Sequence, residues 1–115
     1  MASNKYRNAG ARLTTTAVTT LYACPDGTVA IVNALVVANV DAGAQTVSVE
    51  WAAASAGVSV ALGSALPVAA GGRLQVLDRP IVLESGDALK VTAAAANVLH
   101  VTASLMEIVC AETAA

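Results

Sequence analysis

The sequence predicts an all-β protein: an antiparallel β-sandwich, of jelly-roll type, with an extended N-terminal arm. Three observations lead to this prediction. Val and Thr, which favour pleated strands, are abundant. Several short runs alternate between apolar and polar residues with a period of two, and turns that contain Gly, Pro or Asp separate the runs at close intervals. A chain of 115 residues has room for one such domain.

The first third of the chain is predicted to contain the arm and two strands. Residues 1–12 are polar and basic without alternation, and we expect them to form the arm. Residues 13–24 are rich in Thr and β-branched side chains, which predicts a strand. A turn follows at residues 25–27, where Pro fixes φ and Gly accepts a positive φ. Residues 28–40 are almost continuously apolar, as is typical of a strand buried on both faces.

The middle of the chain alternates more regularly. Within residues 45–53, Val47, Val49 and Trp51 are expected to share one face, and residues 58–62 repeat the pattern. Further short strands are predicted at residues 73–77, 81–83 and 88–93, with turns at 41–43, 69–72 and 84–87. The alanine-rich stretch that ends at Asn97 is expected to form a loop.

The last predicted strand, residues 98–109, has two different faces. Its apolar face is formed by Leu99, Val101, Ala103 and Leu105. Its other face, which is neither charged nor strongly apolar, holds His100, Thr102, Ser104 and Met106. We expect this second face to contact another subunit. The chain then divides into an arm (1–12), a sandwich of seven or eight strands (13–110) and a C-terminal tail (111–115).

The composition predicts that part of the surface is covered. Apolar residues make up 57% of the chain and charged residues only 12%, against about 25% in ordinary soluble domains. A small domain cannot enclose so much apolar material in one core, so a membrane or other subunits must cover some of it. The uncharged residues 51–72 are long enough to span a bilayer, but Gly, Pro and Ser interrupt them. The sequence therefore predicts subunit assembly and no membrane partner.

Candidate chemistry is sparse in this sequence. His100 is the only histidine and no Gly-x-Ser-x-Gly motif is present, and a lone histidine without orienting groups is a poor catalyst. We expect no catalytic residue, no cofactor and no metal; a calcium ion at Asp78, Glu84 and Asp87 is the alternative to solvated turns. A net charge of −2 without a basic run predicts no nucleic-acid partner.

The two cysteines and the N-terminus indicate the compartment. No apolar segment of a secretory signal follows the N-terminal basic residues, so we expect folding in the cytoplasm. In that compartment Cys24 and Cys110 are expected to be free thiols. A disulfide between the first and last strands is the alternative.

Partner-binding residues are predicted in the arm and on the last strand. The arm combines three positive charges with one aromatic ring, and such a segment can add a strand to the sheet edge of a neighbour. An unbound, solvated terminus is the alternative. The predicted partner-binding residues are Lys5, Tyr6, Arg7, Arg12, His100 and Met106.

Three blocks of the sequence stand out: residues 21–40 (LYACPDGTVAIVNALVVANV), 74–91 (LQVLDRPIVLESGDALKV) and 101–108 (VTASLMEI). They hold a Pro-x-Gly-Thr-x-Ala-Ile-Val turn and strand, a Leu-x-x-Gly-Asp-x-Leu-x-Val hairpin, and a last strand that closes in Glu-Ile. In these blocks the sequence resembles small virion proteins of tailed bacteriophages. The resemblance implies a structural role in the capsid or tail and supplies no catalytic residues. This sequence departs from the pattern in its high Ala content and in Asp26 of the turn.

We therefore expect a non-enzymatic virion protein that assembles in the host cytoplasm. Its expected role is that of a capsid decoration (cement) protein, a homotrimer that stabilises the phage head through contacts with the major capsid protein. A tail, baseplate or fibre module that binds host carbohydrate is the alternative. That role needs exposed aromatic rings, and the sequence offers only Tyr6, Tyr22 and Trp51. A hydrolase is a weaker alternative, because the sequence holds no constellation of His and acidic residues.

Overall fold

The computed structural model describes residues 2–54, 56–77 and 79–110. Over these ranges the chain forms nine β-strands, and no helix is present that could cross a membrane. The strands are β1 (Ala2–Leu13), β2 (Thr19–Ala23), β3 (Thr28–Asn39), β4 (Gln45–Ala53), β5 (Val58–Val68), β6 (Arg73–Gln75), β7 (Ile81–Leu83), β8 (Ala88–Ala93) and β9 (Leu99–Cys110).

Two antiparallel sheets form a sandwich. Sheet A has the strand order β1-β9-β3-β6, with β7 also paired to β3, and sheet B has the order β2-β8-β4-β5. β4 and β5 form a direct hairpin, whereas most other connections cross between the sheets. If β6 and β7 are taken as one interrupted strand, this is the eight-stranded arrangement of a jelly roll. The predicted all-β sandwich of jelly-roll type is confirmed.

The core lies between the two sheets and consists mainly of aliphatic side chains. Its largest fully buried members are Leu13, Leu35, Leu83, Leu89, Leu99, Leu105, Val32, Val37, Val47, Val49, Val68 and Val91. Each such side chain contributes about 1.5–3 kcal/mol through removal from water. The predicted inward faces of β4 and β9 are confirmed, with Trp51 half-buried against the core.

The predicted burial of residues 28–40 on both faces is wrong. Along β3, buried residues alternate with half-buried ones, and Asn33 is exposed. The reason is that a two-layer sandwich has only one inner face per strand. The outward residues of β3 are partly covered by its neighbours β9, β6 and β7 within the sheet.

Other boundaries also differ from the prediction. The predicted strand at residues 13–24 is two elements, because Leu13 closes β1 and the exposed residues 14–18 separate it from β2. The strand predicted at 58–62 continues through Gly63 and Pro67 to the end of β5. β5 is an edge strand, where a proline leaves no ladder hydrogen bond unmade.

The segment predicted as an arm is extended and forms β1. Its residues 2–13 pair in register with β9 of the same chain, and Ala9, Ala11 and Leu13 pack against the core. The structure thus makes the segment the first strand of the jelly roll, paired within its own sheet instead of with a neighbour. The division of the chain at residues 12 and 110 stays a prediction.

Candidate interaction surface

The residues predicted to bind a partner lie on β1 and β9, which are paired along their whole length. The register places Tyr6 opposite Met106 and Arg12 opposite His100. Directly opposed residues of antiparallel strands share a face, and this face points away from the core because the alternate residues of β9 are buried. The structure therefore brings together four of the six predicted residues.

The other two predicted residues lie on the opposite side of β1. Lys5 is opposite Glu107 and Arg7 is opposite Leu105, both of which point inward. The Arg7 side chain forms an ion pair with Glu107, with Nη1 and Oε2 3.4 Å apart. Arg7 therefore already has a partner within the chain.

The pairing of β1, β9, β3, β6 and β7 builds one continuous outer surface, which we call the outer face of sheet A. Two rows of register-matched residues lie at its ends. The basic row is Arg12, His100, Ala38 and Arg73. The apolar row is Tyr6, Met106, Ile31 and Val82. The rows are six residues apart on β1 and β9, which corresponds to about 20 Å along a strand.

The basic row is bordered by two depressions. One, of about 320 Å³, lies where Gly10 has no side chain, between Arg12, His100 and Thr102. The other, of about 450 Å³, is lined by Val36, Arg73 and Gln75. A positively charged side chain thus borders each depression.

The charges of the outer face of sheet A have one sign. Among its described residues are Arg12 and Arg73 but no Asp or Glu. Arg12, Arg73 and His100 form no ion pair or side-chain hydrogen bond with another described residue. These polar groups are therefore available to an external partner.

The apolar row exposes large side chains to solvent. Tyr6 is 83% exposed and Val82 is 54% exposed, while Met106 and Ile31 are half-buried. Contiguous exposed apolar surface of this kind is typical of interaction sites. The outer face of sheet A therefore combines an apolar end and a basic end.

A buried polar contact joins the sheets on the inner side of β9. Tyr22 of β2 donates a hydrogen bond from Oη to Glu107 Oε2 over 2.5 Å, and Glu107 is only 4% exposed. Burial and this hydrogen bond raise the pKa of Tyr22 well above its usual value. Because Arg7 and Tyr22 both contact the Glu107 carboxylate, this cluster has a structural role.

The turn before β8 is organised by one buried carboxylate. Asp87 accepts hydrogen bonds from the backbone N–H groups of Ala54 and Glu84 and from Trp51 Nε1, over 2.9, 3.0 and 3.1 Å. Burial opposes ionisation, yet these hydrogen bonds lower the pKa of Asp87. Trp51 is thereby fixed by the fold and half-buried, which leaves it poorly suited to stacking on a sugar.

The candidate metal ligands and the two cysteines form no metal-binding cluster within the described ranges. No group of three His, Cys, Asp or Glu residues there could hold a metal ion, and Asp78 of the alternative calcium site lies outside them. Cys24 is a buried free thiol, and burial raises its pKa. The Cys110 side chain lies outside the described residues.

Sequence reasoning missed the contribution of the strands beyond β9 to this surface. The alternation around Leu74 implies that Arg73 points outward, but no sequence signal places it in register with Arg12 and His100. Glu107, in contrast, continues the alternation that places every second residue of β9 in the interior. That alternation is the sequence pattern from which its burial could have been predicted.

Comparisons with known proteins find similarity at the level of structure alone. No family model matches the chain, and no curated protein sequence matches it. A chain of the acidic stable capsid structure of Helicobacter pylori bacteriophage KHP30 superposes with a TM-score of 0.56 at 17% identity, over 92% of both chains.

Two further solved structures are similar. One is the T13 viral particle of infectious bursal disease virus, with a TM-score of 0.57, 10% identity and coverage of 92% of this chain. This protein spans only 31% of that chain. The other is the virus-like particle of the Macrobrachium rosenbergii extra small virus, with a TM-score of 0.50, 12% identity and coverage of 93% and 79%. At these identities the similarity establishes the shared sandwich fold.

Proposed function

We propose that this protein is a non-enzymatic structural subunit of a virus particle. The observation that carries the proposal is the outer face of sheet A, which is broad, contains no acidic residue among those described, and has an exposed apolar row at one end. Such a surface fits a permanent subunit contact better than free exposure to solvent. The fold shared with chains of viral capsids and a virus-like particle supports the same role.

Within the particle, the role we propose is that of a decoration (cement) protein. A single jelly roll would bind across neighbouring subunits of the major capsid protein and stabilise the shell through the area it buries. We propose a homotrimer as its assembly, because closed symmetric oligomers are the usual arrangement of homo-oligomeric proteins. The predicted residues Tyr6, Arg12, His100 and Met106 would contribute to these contacts from the outer face of sheet A.

The second candidate is a tail, baseplate or fibre module that binds host carbohydrate. The exposed ring of Tyr6 is the observation that favours it. The fixed, half-buried position of Trp51 counts against it, because sugar platforms need accessible aromatic faces. Collisional quenching of the single Trp by acrylamide separates the two. Strong quenching that is relieved by host polysaccharide would favour the carbohydrate-binding module.

The proposal is tested on particles. Virions of the source virus should contain the protein in a fixed ratio to the major capsid protein, measured by quantitative mass spectrometry of purified particles. Particles assembled without the gene should lose stability to heat, and added protein should restore it. Absence of the protein from purified particles would contradict the proposal.

A further inference from the structure

We propose that the outer face of sheet A docks onto an acidic site of a partner protein, with Arg12 and Arg73 binding carboxylates while the apolar row contacts aliphatic or aromatic side chains. The inference deepens the proposed function and rests on it insofar as the partner is taken to be the capsid surface. It assigns the chemistry that the partner must present.

The geometry of the basic row supports carboxylates as its ligands. His100 lies beside Arg12 in the register, and Ala38, a small residue, separates this pair from Arg73. Strands are about 4.8 Å apart, so Arg12 and Arg73, three strands apart, are about 14 Å from each other at their backbones. A guanidinium binds a carboxylate in a two-pronged fashion. Two acidic residues of one partner segment can therefore be bound at the same time.

The surroundings of these cations strengthen this reading. Neither arginine is neutralised by another described residue, and the depression beside Arg12 also presents the Thr102 hydroxyl and the His100 ring. An incoming carboxylate would find two or three donors without displacing an internal partner. Charge complementarity thus favours an acidic partner.

The alternative occupants fit less well. A second copy that bound through the same face about a twofold axis would bring basic row against basic row, or basic row against apolar row. The first arrangement is repulsive and the second buries unpaired cations, which is costly. A nucleic acid would find too few positive charges, and the apolar row offers its phosphates nothing. An acidic protein surface with an apolar contact about 20 Å from its carboxylates satisfies both rows.

The test compares two double variants that remove the same charge. R12Q/R73Q removes both arginines of the basic row. K5Q/R79Q is the matched control, since Lys5 lies on the opposite side of β1 and Arg79 lies in the exposed connection between β6 and β7. Both variants should retain the thermal unfolding midpoint of the parent protein, because all four side chains are exposed and lack internal partners among the described residues.

The first measurement uses poly-L-glutamate as the probe and backbone amide chemical shifts as the readout. In the parent protein and in K5Q/R79Q, the shifts should move at Arg12, His100 and Thr102 and recover in high salt. In R12Q/R73Q they should not move. Shifts that are absent in the parent protein, or equal in both variants, would overturn the inference.

The second measurement uses particles assembled without this protein and determines the dissociation constant by co-sedimentation. R12Q/R73Q should bind about tenfold more weakly than K5Q/R79Q, given two lost ion pairs. Equal binding by the two variants would contradict the inference and leave the proposed function intact. A parent protein that does not bind particles, but still binds poly-L-glutamate at the basic row, would contradict the proposed function instead.

Discussion

Replacement of Tyr22 by Phe removes one hydroxyl from the buried polar contact between the two sheets. In the structure this hydroxyl donates to Glu107 over 2.5 Å. The only ion pair of the carboxylate in the described part of the chain is with Arg7, whose side chain is 55% exposed. Tyr22→Phe therefore leaves a buried carboxylate with one long, partly solvated contact.

The expected loss follows from this geometry. A hydrogen bond to a charged group contributes about 1.5–3 kcal/mol to stability, and little water reaches Glu107 to replace the hydroxyl. We expect the free energy of unfolding to fall by about 2 kcal/mol. For a domain of this size, the melting temperature should fall by roughly 8 °C.

The assay is urea-induced unfolding followed by the fluorescence of Trp51, the single Trp of the chain. Tyr6→Phe is the matched control, because its ring is 83% exposed and its hydroxyl has no hydrogen bond to another described residue. That variant should change stability by less than about 0.5 kcal/mol. If Tyr22→Phe costs no more than Tyr6→Phe, the argument that this contact joins the sheets is refuted.

Three further predictions concern the turns, the edge strand and pH. Asp87→Ala should cost about 3 kcal/mol in urea unfolding, because three partly buried donors lose one buried, charged acceptor; a loss below about 1 kcal/mol would contradict the account. Gly63→Ala should cost about 1–3 kcal/mol, since a Cβ would lie 2.8 Å from Leu66 Cγ, whereas Gly10→Ala, with its nearest atom at 3.6 Å, should be tolerated. Asp87 has a lowered pKa in the folded protein, so its ionised form stabilises the fold above pH 3.8, and this stability is lost as pH falls through the lowered pKa. Tyr22 has a raised pKa in the folded protein, so its neutral form stabilises the fold below pH 10.0, and this stability is lost as pH rises beyond that value. Thermal unfolding between pH 2 and 12 should show both losses, and D87A and Y22F should each lack one.

The fold could be predicted because period-two alternation and turn chemistry are local properties. β4 begins and ends at the predicted residues, and the inward face of β9 follows directly from its alternation. Val58 and Val60 of β5 alternate equally well, yet they are 54% and 42% exposed. Burial at an edge strand depends on how far the opposite sheet extends, and alternation carries no information about that.

The candidate surface could be predicted only in part, because local sequence patterns carry no information about which strands pair. Positive charge and an aromatic ring near the N-terminus predict partner-binding residues, but the register with β9 decides which of them share a face. It separates Tyr6 and Arg12 from Lys5 and Arg7. Arg73 joins the surface through β3, a contact between residues distant in sequence. Such pairings follow from the topology of the whole jelly roll.

The central claim, proposed above, is that this jelly roll is a structural subunit of a capsid shell and contacts its neighbours through the outer face of sheet A. Cryo-electron microscopy of virus particles that contain this protein tests it most directly. The account predicts density for this fold on the capsid shell, with Arg12 and Arg73 against acidic side chains of an adjacent subunit and Tyr6 in an apolar contact. Density on the tail, or on the shell with the outer face of sheet A turned to solvent, would contradict it.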